Sequence, residues 1–358
     1  MAEEPTVPLM KEGDVVQGGL AQYSIVKLLG EGGFGAVYQI KKVGNDEEQY
    51  AMKVEHRMKK KDSKLKMEIW VLREVKRKKM RSNHFTLMID KGKTELSSFL
   101  VMELVGKSLE DEMEERSDKG SHSGHFTVST GLRCAYQMLE GLHQLHMIGF
   151  IHRDLKPANY AHGLGKNIRN IYILDFGISR FMLAPDERND KKKRLRCFAP
   201  FKGTVRYASL SCHRYSDQDY KDDIESWFYS FMEIMHPEGL PWKNLNDKLS
   251  VMLMKEDCRR DRDWRDMLFP GFECRAVLWK ILELIDDLEY SRPVPYRKIY
   301  QLLNQAMLTE HVNDKDPLDW ENPLNEPRIQ PESSSGDIVD PDDTAASSVH
   351  NSYRPSKP

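Results

Sequence analysis

The feature that most constrains this chain is the run Ile151-His152-Arg153-Asp154-Leu155-Lys156-Pro157-Ala158-Asn159, followed by Leu174-Asp175-Phe176-Gly177. Asp154 can accept the proton of an attacking hydroxyl, while Asn159 and Asp175 are oxygen donors suited to holding Mg²⁺ against the phosphates of ATP. A base and two hard-cation ligands within one short span form a specific signal. His-Arg-Asp alone would be a chance tripeptide, so the other parts of the chemistry have to be found upstream.

They are there, in the required order. Leu29 leads into Gly30-Glu31-Gly32-Gly33-Phe34-Gly35-Ala36-Val37, a Gly-x-Gly-x-x-Gly-x-Val run whose backbone, free of Cβ atoms, can fold closely over phosphates. A glycine triplet by itself is weak, because a dinucleotide-binding turn shares it. That turn needs a helix next. Here Tyr23–Leu29 reads as a strand, and Ala36–Ile40 continues as a second strand rich in β-formers, which makes a hairpin instead. The next strand, Gln49-Tyr50-Ala51-Met52-Lys53-Val54, presents Lys53 toward the α- and β-phosphates. A strand lysine is usually a solvated edge. Glu68 tips the balance: it borders the buried Leu65, Ile69, Leu72 face of the following helix and can pair with Lys53.

Together these motifs resemble the eukaryotic protein kinase family over roughly residues 19 to 308. Leu100-Val101-Met102-Glu103-Leu104-Val105-Gly106-Lys107-Ser108-Leu109, Lys202-Gly203-Thr204-Val205-Arg206-Tyr207-Ala208-Ser209 and Gly239-Leu240-Pro241-Trp242 resemble the casein kinase 1 superfamily. Ala51-Met52-Lys53-Val54-Glu55, Leu65-Lys66-Met67-Glu68 and Tyr172–Gly177 are most similar to its tau-tubulin kinase branch, as a divergent member. The resemblance implies an α+β, bilobal fold with ATP and Mg²⁺ between the lobes. Val37 and Ala51 would cover the adenine, Met102 would be the gatekeeper, and the backbone of Glu103 and Val105 would meet the adenine edge. Lys156 marks the serine/threonine class, and Thr204 would bond near Asp154 and Lys156. Asp223 matches the aspartate that braces the catalytic loop, but Glu225 stands where a tryptophan is usual, so the brace is less secure.

The implied organisation is an N-terminal extension over residues 1–18, a kinase domain over 19–310 and a tail over 311–358. The β-rich lobe covers about 19–102 and the helical lobe about 106–310. Leu132, Ala135, Leu139, Leu142 and Leu145, then Ile224, Trp227, Phe228, Phe231 and Met235, recur at helical spacing and read as core. His152 also reads as a packing residue. From Asp314 to Pro358 the chain carries ten acidic and four basic residues and seven prolines, too few apolar groups to offset ordering, with Trp320 a possible anchor for a short piece.

At 358 residues, 39% hydrophobic and 31% charged, the chain can bury a two-lobed core. The net charge of −2 gives no bulk attraction to nucleic acid or membrane. Five cysteines without a C-x-x-C pair suggest neither a zinc site nor a disulfide framework. The acidic, non-apolar start and the lack of a long uncharged apolar run point to a cytoplasmic protein, with the nucleus also open. A monomer is expected.

Three features carry two readings each. Lys191-Lys192-Lys193-Arg194-Leu195-Arg196, between Asp175 and Thr204, is a solvated loop or import signal on one reading. On the other it contacts acidic or phosphorylated substrates, and the chain's own C-terminal tail, with Ser333 to Ser335 and Thr344 beside carboxylates, would be one of them. Lys59-Lys60-Lys61 with Lys76 to Lys79 and Arg81 reads as a solvated face. Between Asp175 and Thr204 the only hydroxyl is Ser179, which implies competence without an activating phosphate. The rival classes are a pseudokinase scaffold and, more weakly, a cytoskeleton-binding module. Lys53, Glu68, Asp154, Asn159 and Asp175 being all present argues against the first, and an acidic tail repels acidic tubulin surfaces.

Overall fold

The structure, a computed structural model, describes residues 9–32, 35–56, 63–79, 84–118, 124–182 and 198–321. The N-terminal part is one antiparallel sheet. Its strands are β1 (Val15–Gln17), β2 (Gln22–Gly32), β3 (Gly35–Lys42), β4 (Asn45–His56), β5 (Met88–Lys93) and β6 (Ser97–Glu103), in the order β1-β2-β3-β4-β6-β5. Alternation decides which side chains meet on each face. Tyr38, Ile40, Met52, Val54 and Val101 fill a small core on one side. The neighbours between them, Val37, Lys53 and Met102, therefore turn the other way, and the register pairs Val37 with Lys53 and Ala51 with Met102. Gly35 is needed at the hairpin because a Cβ there would lie 1.8 Å from the Val54 carbonyl oxygen.

Helix α1 (Lys64–Arg77) starts at Ser63, whose hydroxyl accepts from the Lys66 amide at 3.2 Å. Glu55 of β4 accepts from the Lys64 amide at 2.7 Å, so the strand and the helix start are tied together. Leu65, Glu68, Val71 and Leu72 form its buried face.

The C-terminal part is built on α2 (Leu109–Asp118), α3 (Val128–Met147), α4 (Leu210–His213), α5 (Tyr220–Met235), α6 (Lys248–Arg260), α7 (Arg262–Leu268), α8 (Arg275–Asp286) and α9 (Tyr296–Thr309). Short strands β7 (Phe150–Ile151), β8 (Tyr160–His162), β9 (Ile171–Ile173) and β10 (Arg180–Phe181) carry the loops between α3 and α4. Helix α5 is buried from Asp222 to Met235, which suits the apolar run expected to be core. The expected α3 positions, Leu132 to Leu145, are buried as well. Trp227 anchors α5 to α3 by donating its indole N–H to the Ala135 carbonyl at 3.0 Å. Among the described residues no helix is long and apolar enough to cross a membrane. Cys134, Cys212, Cys258 and Cys274 are buried free thiols, while Cys197 lies outside the described residues.

Two boundaries differ from those expected. The sheet begins before residue 19, because β1 pairs with β2 and Asp90 gathers the Gly19 and Leu20 amides and the Tyr23 hydroxyl. Packing also continues past residue 310, up to Glu321. Leu318 is 2% exposed, Trp320 stacks on His162 with ring centres 5.4 Å apart, and Asp319 caps Thr127, accepting from its amide at 2.6 Å. Composition hid this because the segment buries only Leu318 and packs one ring, Trp320, while Arg116, Arg133 and Arg169 of the helical part hold the rest of it.

Candidate active site

A cleft of about 620 Å³ lies between the sheet and the helical part. Its roof is Leu29, Gly30, Glu31, Gly32, Gly35 and Val37 on β2 and β3, with Ala51 and Lys53 beside them on β4. Gly33 and Phe34, between Gly32 and Gly35 in the chain, lie outside the described residues. Met102, Glu103 and Val105 form the back wall and connection, and Asn159 and Asp175 line the floor. Met102 is buried against the Thr86 hydroxyl, and the Glu103 amide donates to the Leu87 carbonyl at 2.9 Å, which fixes the chain where it passes from one part to the other.

Lys53 joins the two sides of the cleft. Its ammonium lies 2.7 Å from Glu68 of α1 and 2.8 Å from Asp175. Burial opposes the charge on Lys53, but Glu68 and Asp175 outweigh it and hold the pKa above the ordinary lysine range. Burial would likewise raise Asp175, but Lys53 and the Gly177 amide hold it down to about 2. The carboxylate therefore stays ionised at any physiological pH. Phe176 explains its direction: the ring is 1% exposed, packed on Phe85 at 5.7 Å and against His152 at 5.5 Å, so Asp175 is turned toward the cleft.

The catalytic-loop residues are placed by hydrogen bonds from several elements. Asp223 of α5 accepts from the His152 amide at 2.6 Å and the Arg153 amide at 2.9 Å, and from His146 at 2.9 Å. The brace thus forms despite Glu225. That residue has a different task, accepting from the Leu210 amide at 3.2 Å, from the Tyr229 hydroxyl at 2.7 Å and from Arg259 at 3.1 Å. His152 is fully buried and bonds to the Leu174 carbonyl, as a packing residue should. Arg153 and Asp175 both sit at positive φ, 72° and 58°, a conformation that costs energy and persists only where the surroundings enforce it.

Asp154 accepts from the Thr204 hydroxyl at 2.8 Å. The Asn159 amide donates to the Asp154 carbonyl at 2.7 Å, leaving its side-chain oxygen as the atom suited to a cation. Lys156 opens the 3₁₀ turn Pro157–Asn159, and its charge acts on Glu110 at the start of α2. Among the described residues no cluster of three or more His, Cys, Asp or Glu offers a ready metal cage. One carboxylate and one amide oxygen facing a phosphate site is instead the donor set of a Mg²⁺ ion shared with its nucleotide.

Lys64, Thr86, Ser108, Glu110, Ala161 and Leu174, to which the sequence motifs assign no site role, also line the cleft. Leu174 could have been inferred, since it immediately precedes Asp175. The others reach the cleft only through the packing of α1, α2, β8 and the residues around β6, which carries no local signature. Lys191 to Arg196, Lys59 to Lys61 and the tail from residue 322 lie outside the described residues.

Comparison with known proteins agrees with this geometry. A profile of the protein kinase domain matches residues 23–281. A Caenorhabditis elegans protein named as a serine/threonine-protein kinase is 32% identical over 302 residues, covering 84% of this chain and 82% of that protein. The C. elegans serine/threonine-protein kinase spe-6 is 30% identical over 306 residues, 84% of this chain and 76% of that one. A third C. elegans protein, named as a casein kinase I, is 29% identical over 308 residues, 84% of each chain. With the sheet, the helical part, the cleft and these matches in agreement, the chain belongs to the protein kinase domain family and is an ATP-dependent protein serine/threonine kinase.

Proposed function

We propose that this kinase uses Mg²⁺ with ATP, stands in the casein kinase 1 superfamily near the tau-tubulin kinase branch, works without an activating phosphate, and favours acidic or phosphorylated protein substrates. The observation that carries the catalytic reading is Lys53 bridging Glu68 and Asp175 while Asp154 holds Thr204. When bound, the metal neutralises charge on the phosphate oxygens, and Asp175 and Asn159 would hold it. Lys53 meets the α- and β-phosphates from β4, and the Gly30 to Gly35 hairpin covers them. Val37 and Ala51 enclose the adenine from above, with Met102 behind and the backbone of Glu103 and Val105 at its edge. Asp154 orients the acceptor hydroxyl and takes its proton, Lys156 adds a cation beside it, and Thr204 fixes the Asp154 rotamer. The superfamily assignment rests on the hinge and Lys202 to Ser209 motifs and on the relative named as a casein kinase I, and the branch assignment on the runs Ala51 to Glu55, Leu65 to Glu68 and Tyr172 to Gly177.

Independence from an activating phosphate is supported by Ser179, which is 2% exposed and cannot be reached by another kinase without opening the loop. Arg153, the residue that would gather a loop phosphate, donates instead to the Ile178 carbonyl at 2.8 Å. Protein made in bacteria and treated with phosphatase should retain the kcat of untreated protein. A large loss, restored only when Ser179 is phosphorylated again, would overturn this.

The substrate preference is supported by a small cavity of about 60 Å³ whose lining includes Arg180 and Lys202, beside Thr204 in the chain. Arg180 is steadied there by Asp217 at 2.6 Å. Exposed ionic contacts contribute ~0.2–1 kcal/mol each, so three to five of them would favour an acidic or phosphorylated acceptor about tenfold in kcat/KM. The preference should weaken as salt rises. Peptide arrays on Lys202→Ala combined with charge reversal of Lys191 to Lys193 test it: the preference should vanish, and an array with no acidic preference in the wild type would sink the idea. The same reading takes the chain as a cytoplasmic monomer, with the nucleus also open to it and its own tail as one acidic competitor.

A further inference from the structure

The segment from Thr204 to Ser209 runs from Asp154 to the start of α4, and its inward carbonyl groups need donors. Thr204 holds one end against Asp154. At the other end Ser209 donates to Asp222 at 2.7 Å and the Leu210 amide donates to Glu225. In the middle, the Arg206 carbonyl accepts from the Trp242 indole at 2.8 Å. The remaining support is Lys255 of α6, a lysine with no exposed surface. Its ammonium donates to the Ala208 carbonyl at 2.7 Å and the Val205 carbonyl at 3.3 Å, and lies 3.2 Å from Nε2 of His213. The rings of Tyr229 and Trp242 face it at 4.6 and 5.3 Å. Burying an ammonium is costly, and three acceptors with two aromatic faces are what keep it there.

We infer that Lys255 is a positioning residue for the protein substrate: through the Val205 and Ala208 carbonyls it sets the shape of the segment against which the acceptor chain must lie, while the nucleotide half of the site does not depend on it. The inference rests on the Asp154 and Thr204 roles proposed above. Nucleotide binding is carried by β2 to β4 and the connection after β6, none of which Lys255 touches. Its loss should therefore separate the two substrates.

The surroundings also predict a pH dependence. Burial pushes the Lys255 ammonium down to about 7, with Arg259 acting the same way and Glu225 and Cys212 opposing. His213 is pushed down to about 4 by burial and by Lys255, so it is neutral and its Nε2 can accept. Burial raises Cys212 and Tyr229, which stay protonated through neutrality, and Glu225 is paired with Arg259. As pH rises through about 7 the ammonium becomes an amine with two N–H donors, which can no longer donate to both carbonyls and to His213 at once. Asp222, raised to about 7 mainly by burial, titrates in the same window on the far side of Ser209. A wild-type profile alone cannot separate the two groups, so the variant profile must.

The test is steady-state kinetics on the full chain with a serine peptide and Mg·ATP between pH 6.5 and 8.5, for wild type, Lys255→Met and Lys255→Gln. Wild-type KM for peptide should rise above neutrality while KM for ATP stays flat. Lys255→Met should lower kcat/KM for peptide by about 10- to 100-fold, leave KM for ATP unchanged and abolish the rise. Lys255→Gln, which retains two donors, should fall between them and serves if the methionine variant does not fold. Equal losses toward ATP and peptide, unchanged peptide kinetics, or a rise that persists in the variants would overturn the inference, the last assigning it to Asp222. Failure of the underlying catalytic reading would look different: the wild type itself would transfer no phosphate.

Discussion

Asp154→Asn should lower kcat by about 10²- to 10⁴-fold, the usual contribution of a positioned general base, with little change in KM for ATP. The substitution keeps the shape and the partner: an amide oxygen can still accept from Thr204, which now bonds at 2.8 Å. The loop would also keep its backbone support, since the His152 and Arg153 amides reach Asp223 independently of the Asp154 side chain. What disappears is the negative charge and the site for the acceptor's proton. Unchanged melting temperature and nucleotide affinity with a collapsed kcat is the expected pattern. A variant that keeps near-normal kcat would show that another group takes the proton.

Lys53→Met should remove activity by about a hundredfold or more and, unlike the first variant, should also destabilise the protein. Glu68 is 3% exposed, and with its cation gone it becomes a buried charge without a partner, a change that typically costs about 3–5 kcal/mol. Glu68 would escape that cost by taking a proton, which raises its pKa in the folded state. A carboxyl with a raised folded pKa contributes stability at low pH and loses it as pH rises, so the variant should recover part of its stability on acidification. In the wild type the sign is opposite at Asp175. Its folded pKa is held down to about 2, so its contribution is present above about pH 4 and lost as pH falls toward 2. Removing both partners, Lys53→Met with Glu68→Leu, should restore melting temperature without restoring activity. Thermal melts across pH on the three proteins check this, and a double variant no more stable than the single one would contradict it.

How much could be read from the residues follows from the range over which each signal acts. The cation, carboxylate and glycine positions sit in short runs whose spacing already encodes a strand, a turn or a helix face. Leu29 to Val37, Lys53, Glu68, Asp154, Asn159 and Asp175 could therefore be named before any fold was known. Alternation on β3 and β4 and helical recurrence on α3 and α5 were equally local. The misplaced boundaries have a different origin. Val15–Gln17 is a three-residue edge strand paired with β2, and the turn between the two is held by Asp90, about seventy positions away. Residues 314–321 look like tail by composition, and what orders them is three arginines and His162 of the helical part. Lys255 and Glu225 were opaque for the same reason. A lysine on a helix reads as solvent-facing until the carbonyls of residues 205 and 208 are seen to close over it.

The central claim is that this cleft transfers phosphate from Mg·ATP to serine or threonine. The most direct measurement is transfer of labelled γ-phosphate to casein, with and without Mg²⁺, by the wild type and Asp154→Asn in parallel, followed by phosphoamino-acid analysis of the product. The predicted result is Mg²⁺-dependent phosphoserine and phosphothreonine from the wild type and near-background label from the variant. Contradiction would be a wild type that binds ATP yet labels no protein under any of these conditions, or one whose labelling is undiminished by Asp154→Asn.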